Sequence, residues 1–140
     1  MKLIISTIVV GILFFVLGWL FYGMLSVSLF HNQFSHLMRS SSEMSGKMWT
    51  FAVGSLLRAF FLALIYPKGY KGDSPAGEGF KFGLYIGLLF GLPTAFFSWG
   101  GAPITYQYAI YDGAATMIMF LLAGIITGLI YGKIVKPAAA

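Results

Sequence analysis

Four long apolar runs divide this sequence, and most of its charged residues lie in the short segments between them. The runs span about 3–30, 49–66, 82–99 and 114–131. The last three are close to the roughly 20 apolar residues that a helix needs to cross the hydrocarbon core of a bilayer, and the first is longer than a straight helix needs. We therefore predict an all-α protein, an integral membrane four-helix bundle that forms a single domain over residues 1–140.

The composition supports a membrane protein and excludes several other classes. Of the 140 residues, 59% are hydrophobic and only 9% are charged, whereas soluble domains have about 25% charged residues. The net charge of +5 comes from basic residues divided among short connecting segments, so we predict no nucleic-acid partner. The chain has no cysteine, which excludes disulfides and thiolate metal sites.

Glycine recurs at every fourth residue in the third and fourth runs. This spacing places the glycines on one helical face, where they allow two backbones to approach closely in lipid. The two rows fall at similar depth in helices of opposite direction, so we predict that the third and fourth helices pack glycine to glycine. Packing between subunits and a pore lined by the glycine-rich helices are the alternatives. The rows consist of Gly83, Gly87 and Gly91 in the third helix, and Gly124, Gly128 and Gly132 in the fourth.

The distribution of basic residues predicts the orientation of the chain. Four spans place both termini on the same side, and that side carries most of the lysines, whereas the opposite side carries only Arg39 and Lys47. Because cytoplasmic loops are enriched in Lys and Arg, we predict that both termini are cytoplasmic. The residues on the terminal side are Lys2, Lys68, Lys71, Lys81, Lys133 and Lys136.

Arg58 is a charged residue in the middle of the second run, nine residues from Trp49 and eight from Tyr66. A charge at that depth costs about 2.5–3.5 kcal/mol on insertion scales, so it needs an explanation. We predict either internal hydrogen bonds or contact with an anion or a partner subunit. The candidate acceptors are the Leu89 carbonyl, the hydroxyls of Thr94 and Thr116, a lipid phosphate, and a carboxylate of another subunit.

Pro93 and Asp112 have structural interpretations. Pro93 cannot donate to the Leu89 carbonyl, so we predict a kink in the third span. Asp112 stands just before the fourth run and is predicted to begin that helix, either as its N-cap or in its first turn. A pair between Asp112 and Arg58 would have to cross about 10 Å of depth, and we do not expect it.

His31 and His36 are the only histidines, in the segment that follows the first run. Histidine ligates haem and metals, but a spacing of five residues directs the two side chains to different helical faces. We therefore interpret them as polar residues at the membrane surface and predict no cofactor. A single histidine acting as an axial ligand is the alternative.

Several segments resemble a group of small bacterial four-helix membrane proteins classed as a domain of unknown function. The segments are FVLGWLFYGML in the first run, EGFKFGLYIGLLFGLP before and within the third, and YDGAATMIMFLLAGIITGLIYGK across the fourth. The resemblance implies four helices in a bacterial inner membrane and no known catalytic residues.

The function is predicted mainly from what the sequence lacks. It contains no Ser/His/Asp arrangement, HExxH motif, P-loop or dinucleotide fingerprint, so we expect a protein that is not an enzyme. We predict an accessory or scaffold subunit that contacts lipid and other integral membrane subunits. The alternatives are a small oligomeric transporter or channel that uses Arg58, and an electron-transfer subunit that holds a cofactor.

Overall fold

The computed structural model describes residues 1–30 and 39–134, and this part of the chain is helical with short connections. Its α-helices are α1 (Lys2–Gly18), α2 (Ser26–Leu29), α3 (Ser41–Gly46), α4 (Met48–Gly69), α5 (Pro75–Gly101) and α6 (Tyr106–Ile134). Four of the helical segments are long and apolar enough to cross a membrane: Lys2–Leu29, Met48–Gly69, Pro75–Gly101 and Tyr106–Gly132. The prediction of four apolar membrane-length helices is therefore confirmed.

The first span changes its helical form along its length. Between α1 and α2, residues Trp19–Leu25 form a π-helix, in which each turn contains more residues than in an α-helix. At its end the Ser26 N–H donates to the Phe21 carbonyl, five residues back. Tyr22, a residue of the site described below, lies within this π-helix.

Helices α3 and α4 follow each other almost without a gap. Ser40 caps α3 through a capping box, because its side chain accepts from the Glu43 N–H while the Glu43 side chain accepts from the Ser40 N–H. Helix α4 then runs from Met48 to Gly69 and includes Pro67. The helix thus continues slightly beyond the proline that ends the apolar run.

Helices α5 and α6 are both longer than the apolar runs inside them. Helix α5 begins after the N-cap Ser74, with Pro75 in its first turn, and continues through Pro93 to Gly101. Helix α6 begins at Tyr106, six residues before Asp112. The prediction that Asp112 begins this helix is therefore wrong, because the aromatic residues before it are already helical.

The packing of the helices is uneven. Helix α5 packs against α6, and α1 packs against α4 and α6. The core forms where α1, α4 and α6 meet, and its fully buried side chains include Val10, Phe14 and Ala123. In the described residues, α4 and α5 are not packed along their lengths although they are consecutive. Their contact includes the Tyr66 and Phe82 rings, whose centroids lie 5.2 Å apart.

The backbones of α5 and α6 approach each other very closely. A Cβ atom added to Gly83 would lie 2.7 Å from the Phe120 carbonyl oxygen and 2.9 Å from the Leu121 Cα. A Cβ atom added to Gly124 would lie 2.5 Å from the Gly83 Cα. Because these neighbours are backbone atoms, they cannot move aside as a side chain would. At these positions the two backbones have no room for a side chain between them.

Candidate functional site

A groove lies between α4 and α5, and it contains a cavity of about 630 Å³. We call it the α4–α5 groove. Its α4 wall carries Arg58, Phe61, Leu62 and Ile65, and its α5 wall carries Phe82, Ile86, Phe90 and Thr94. Its floor comes from the first span and α6, through Tyr22, Asp112, Thr116, Met119 and Phe120. Phe61 and Phe90 are 54% and 51% exposed, so the groove opens on the surface of the bundle.

Arg58 lies in this groove with its guanidinium against two aromatic rings. Its Cζ atom is 5.3 Å from the ring centroid of Phe14 and 5.5 Å from that of Phe120. Both rings are buried, at 1% and 5% exposure, and they meet edge to face. A cation this close to a ring face is attracted by the ring quadrupole. The rings therefore hold the guanidinium against the core of the bundle.

The depth of Arg58 can be judged from three helices. Arg58 is the eleventh residue of the 22-residue helix α4. Phe14 and Phe120 lie near the middle of the spans Lys2–Leu29 and Tyr106–Gly132. The charge and both rings that contact it therefore share a level close to the middle of the bundle.

Among the described residues, none of the internal acceptors suggested for Arg58, the Leu89 carbonyl and the hydroxyls of Thr94 and Thr116, accepts a hydrogen bond from it. Thr94 donates to the Phe90 carbonyl in its own helix, and the Thr116 hydroxyl contacts Tyr22. Within the described part of the chain, the Arg58 guanidinium has no hydrogen bond or ion pair. Arg58 is thus a cation with aromatic neighbours and unused donors.

Asp112 is bonded quite differently, because hydroxyl groups surround it. The Tyr22 hydroxyl donates to its Oδ1 at 2.6 Å, and the Ser98 hydroxyl donates to its Oδ2 at 2.7 Å. The Thr116 Oγ1 lies 3.2 Å from the Tyr22 hydroxyl oxygen; since Tyr22 gives its hydrogen to Asp112, Thr116 is the donor in this second contact. The carboxylate therefore joins the first span, α5 and α6.

A second bond ties the π-helix to α6 beside this cluster. The Tyr111 hydroxyl donates to the Phe21 carbonyl at 2.6 Å, the same carbonyl that accepts the Ser26 N–H across the wide π-helical turn. Sequence reasoning missed Tyr22 and Ser98 as partners of Asp112. Nothing in local spacing could have found Tyr22, because it lies 90 residues away in the chain.

Arg58 and Asp112 line the same cavity. They are not within the 4.0 Å of a salt bridge, because Arg58 stands at the level of Phe120 and Asp112 is eight residues earlier in α6. Eight helical residues rise by about 12 Å. The cavity therefore has a hydrogen-bonded carboxylate towards one end and, near its middle, a cation to which the described residues supply no acceptor.

The other predicted residues are placed as follows. Gly83, Gly87 and Gly91 are buried in α5, while Gly124, Gly128 and Gly132 lie in α6. Pro93 lies inside the uninterrupted helix α5; whether it bends the helix stays a prediction. His31 and His36 lie outside the described residues.

No family model, curated protein or solved structure matches this chain. The resemblance to small bacterial four-helix proteins therefore stays a prediction. The four long apolar helices of this chain are consistent with an integral membrane protein.

Proposed function

We propose that this chain is a non-catalytic subunit of a larger complex in a bacterial inner membrane, with both termini in the cytoplasm. One observation carries the proposal: Arg58 lies near the middle of a membrane-length helix, exposed in a groove and without a hydrogen-bond acceptor among the described residues. Unsatisfied polar groups are costly in lipid. A second membrane subunit that brings an acceptor to Arg58 would remove that cost.

The proposal also assigns a role to the glycine rows. Gly83, Gly87 and Gly91 on α5, with Gly124, Gly128 and Gly132 on α6, serve to fasten the two helices inside the chain. This interpretation is supported by the short backbone separations at Gly83 and Gly124. The α5–α6 pair then acts as a rigid half of the bundle, and the open side between α4 and α5 is left for assembly.

The test is purification of a companion that depends on Arg58. The chain is tagged after Ala140, extracted from its native membrane in mild detergent, and analysed by native gel and mass spectrometry. We expect a stoichiometric membrane companion with the parent chain, less with Arg58→Lys, and least with Arg58→Leu. Lysine keeps the charge but lacks the planar set of donors, so its effect is intermediate.

A matched control separates the position of the charge from its presence. In the double variant Leu57→Arg/Arg58→Leu, the charge stays at nearly the same depth but turns by about 100° around α4. We expect this variant to lose the companion as Arg58→Leu does. Recovery of the parent chain only as a monomer or homo-oligomer would overturn the subunit proposal.

The second candidate is a small oligomeric anion transporter that uses Arg58. The cavity of about 630 Å³ with Arg58 on its wall favours it specifically. Purified protein in liposomes would then carry an anion flux that Arg58→Leu abolishes. Flux from a chain that has no companion would establish this candidate and exclude the first.

A further inference from the structure

We propose that the α4–α5 groove receives one face of a single transmembrane helix of the partner, and that this helix carries an Asp or Glu side chain at the level of Arg58. The inference rests on the proposed function and gives the chemistry of its partner. Arg58 supplies the complementary charge, because its planar guanidinium matches a carboxylate with two parallel hydrogen bonds.

The depth of Arg58 distinguishes a helix from a lipid headgroup. Lipid phosphates lie outside a hydrocarbon core of about 30 Å, whereas Arg58 is eleventh of 22 residues in α4. Arginines reach headgroups by snorkelling when they lie near helix ends. The rings of Phe14 and Phe120 hold this guanidinium at mid-depth instead. A carboxylate on a spanning helix is the anion that reaches this level.

The shape of the groove also suits a helix. Its α5 wall extends from Phe82 to Thr94, which is about 18 Å or three helical turns. The contact between Tyr66 and Phe82 bounds one end. Exposed Phe61 and Phe90 stand on its opposite walls and supply the apolar contact that a neighbouring helix needs around a buried charge pair.

A second copy of this chain does not supply the acid. Asp112 already accepts hydrogen bonds from Tyr22 and Ser98, and it lies about 12 Å in depth from the level of Arg58. Glu78 is near the start of α5 and accepts the backbone N–H groups of Lys71 and Asp73. Glu43 and Asp73, the other two acids of the sequence, lie outside the four membrane-length helices. The partner is therefore a different protein.

The test places a photoreactive amino acid at Phe61 or Phe90 of the full chain in its native membrane. Leu64 and Tyr85 are the matched controls, because they are exposed on the same two helices but do not line the groove. We expect both groove positions to crosslink to one transmembrane segment of one companion, with an Asp or Glu in that segment, and the controls to give much less product.

Arg58 supplies the second part of the test. Polar contacts between membrane helices contribute roughly 0.6–2 kcal/mol, so Arg58→Leu should lower the crosslink yield about 3- to 30-fold. Arg58→Glu should lower it further, and changing the companion's acid to Arg together with Arg58→Glu should restore it. If an Arg58 variant gives the same folded yield as the parent in gel filtration, the lower crosslink yield comes from weaker binding of the partner and not from misfolding.

The outcomes separate this inference from the proposal on which it rests. If a companion copurifies but the groove positions do not crosslink to it, the groove assignment fails and the subunit proposal stands. If no companion is found, both fail. Crosslinks to lipid alone, to a second copy of this chain, to a segment without an acid, or equally from Leu64 and Tyr85 would each overturn the groove assignment.

Discussion

Replacing Gly83 by alanine should destabilise the chain, because the added methyl group has no space between α5 and α6. Its Cβ would lie 2.7, 2.8 and 2.9 Å from three backbone atoms of Phe120 and Leu121, so the helices must separate along their contact. Overpacking of this kind costs about 1–3 kcal/mol. Part of this cost is offset, because alanine is more favourable than glycine in a helix interior by about 0.5–1 kcal/mol. We expect Gly83→Ala to lower the free energy of unfolding by about 1 kcal/mol, within a range of about 0–2.5 kcal/mol.

The control for this change is Gly54→Ala, in the interior of α4. A Cβ there has nothing within 4 Å, so only the gain in helix propensity remains and the variant should be as stable as the parent or slightly more stable. Gly87→Ala should fall between the two, since its nearest backbone atom would be 3.0 Å away. The measurement is the free energy of unfolding in mixed micelles with increasing SDS. Equal effects of Gly83→Ala and Gly54→Ala would refute the close approach.

The orientation is tested with single cysteines, because the chain has no cysteine of its own that would react. Ser42→Cys should react with an impermeant thiol reagent in intact cells, and Ala76→Cys should react only after lysis. The reverse pattern would contradict cytoplasmic termini. Tyr22→Phe removes a hydrogen bond to the Asp112 carboxylate and should lower the free energy of unfolding by about 1–2 kcal/mol, whereas Tyr85→Phe, at an exposed tyrosine, should leave it unchanged. If both tyrosine variants unfold at the same SDS concentration, the bond to Asp112 does not contribute to stability.

The length and hydropathy of the apolar runs were enough to predict the number of long helices and their places in the chain. The four apolar runs mark the four long helices, because a bilayer requires about 20 apolar residues in each span and backbone groups in lipid must be satisfied inside the helix. The depth of Arg58 followed from the same counting. These features depend only on the distance along the chain, which a single sequence displays.

The environment of Asp112 could not be predicted in this way. The polarity of Asp112 suggested the start of a helix, but α6 begins at Tyr106, since Tyr and Gln side chains are compatible with helix as well as with the membrane surface. Its partners Tyr22 and Ser98 come from two other spans. The π-helix that contains Tyr22 has no sequence signal in WLFYGML that distinguishes it from an ordinary helix.

The contrast between Arg58 and Asp112 explains why assembly, and not folding, is the expected role of Arg58. Asp112 is satisfied within the chain, because two hydroxyl groups donate to its two oxygens. Arg58 has five N–H donors, and the rings of Phe14 and Phe120 attract its charge without accepting ordinary hydrogen bonds. A change at Asp112 should therefore lower the stability of the chain itself. Arg58→Leu should leave the isolated chain as stable as before or more stable, and its cost should appear only when the partner is present.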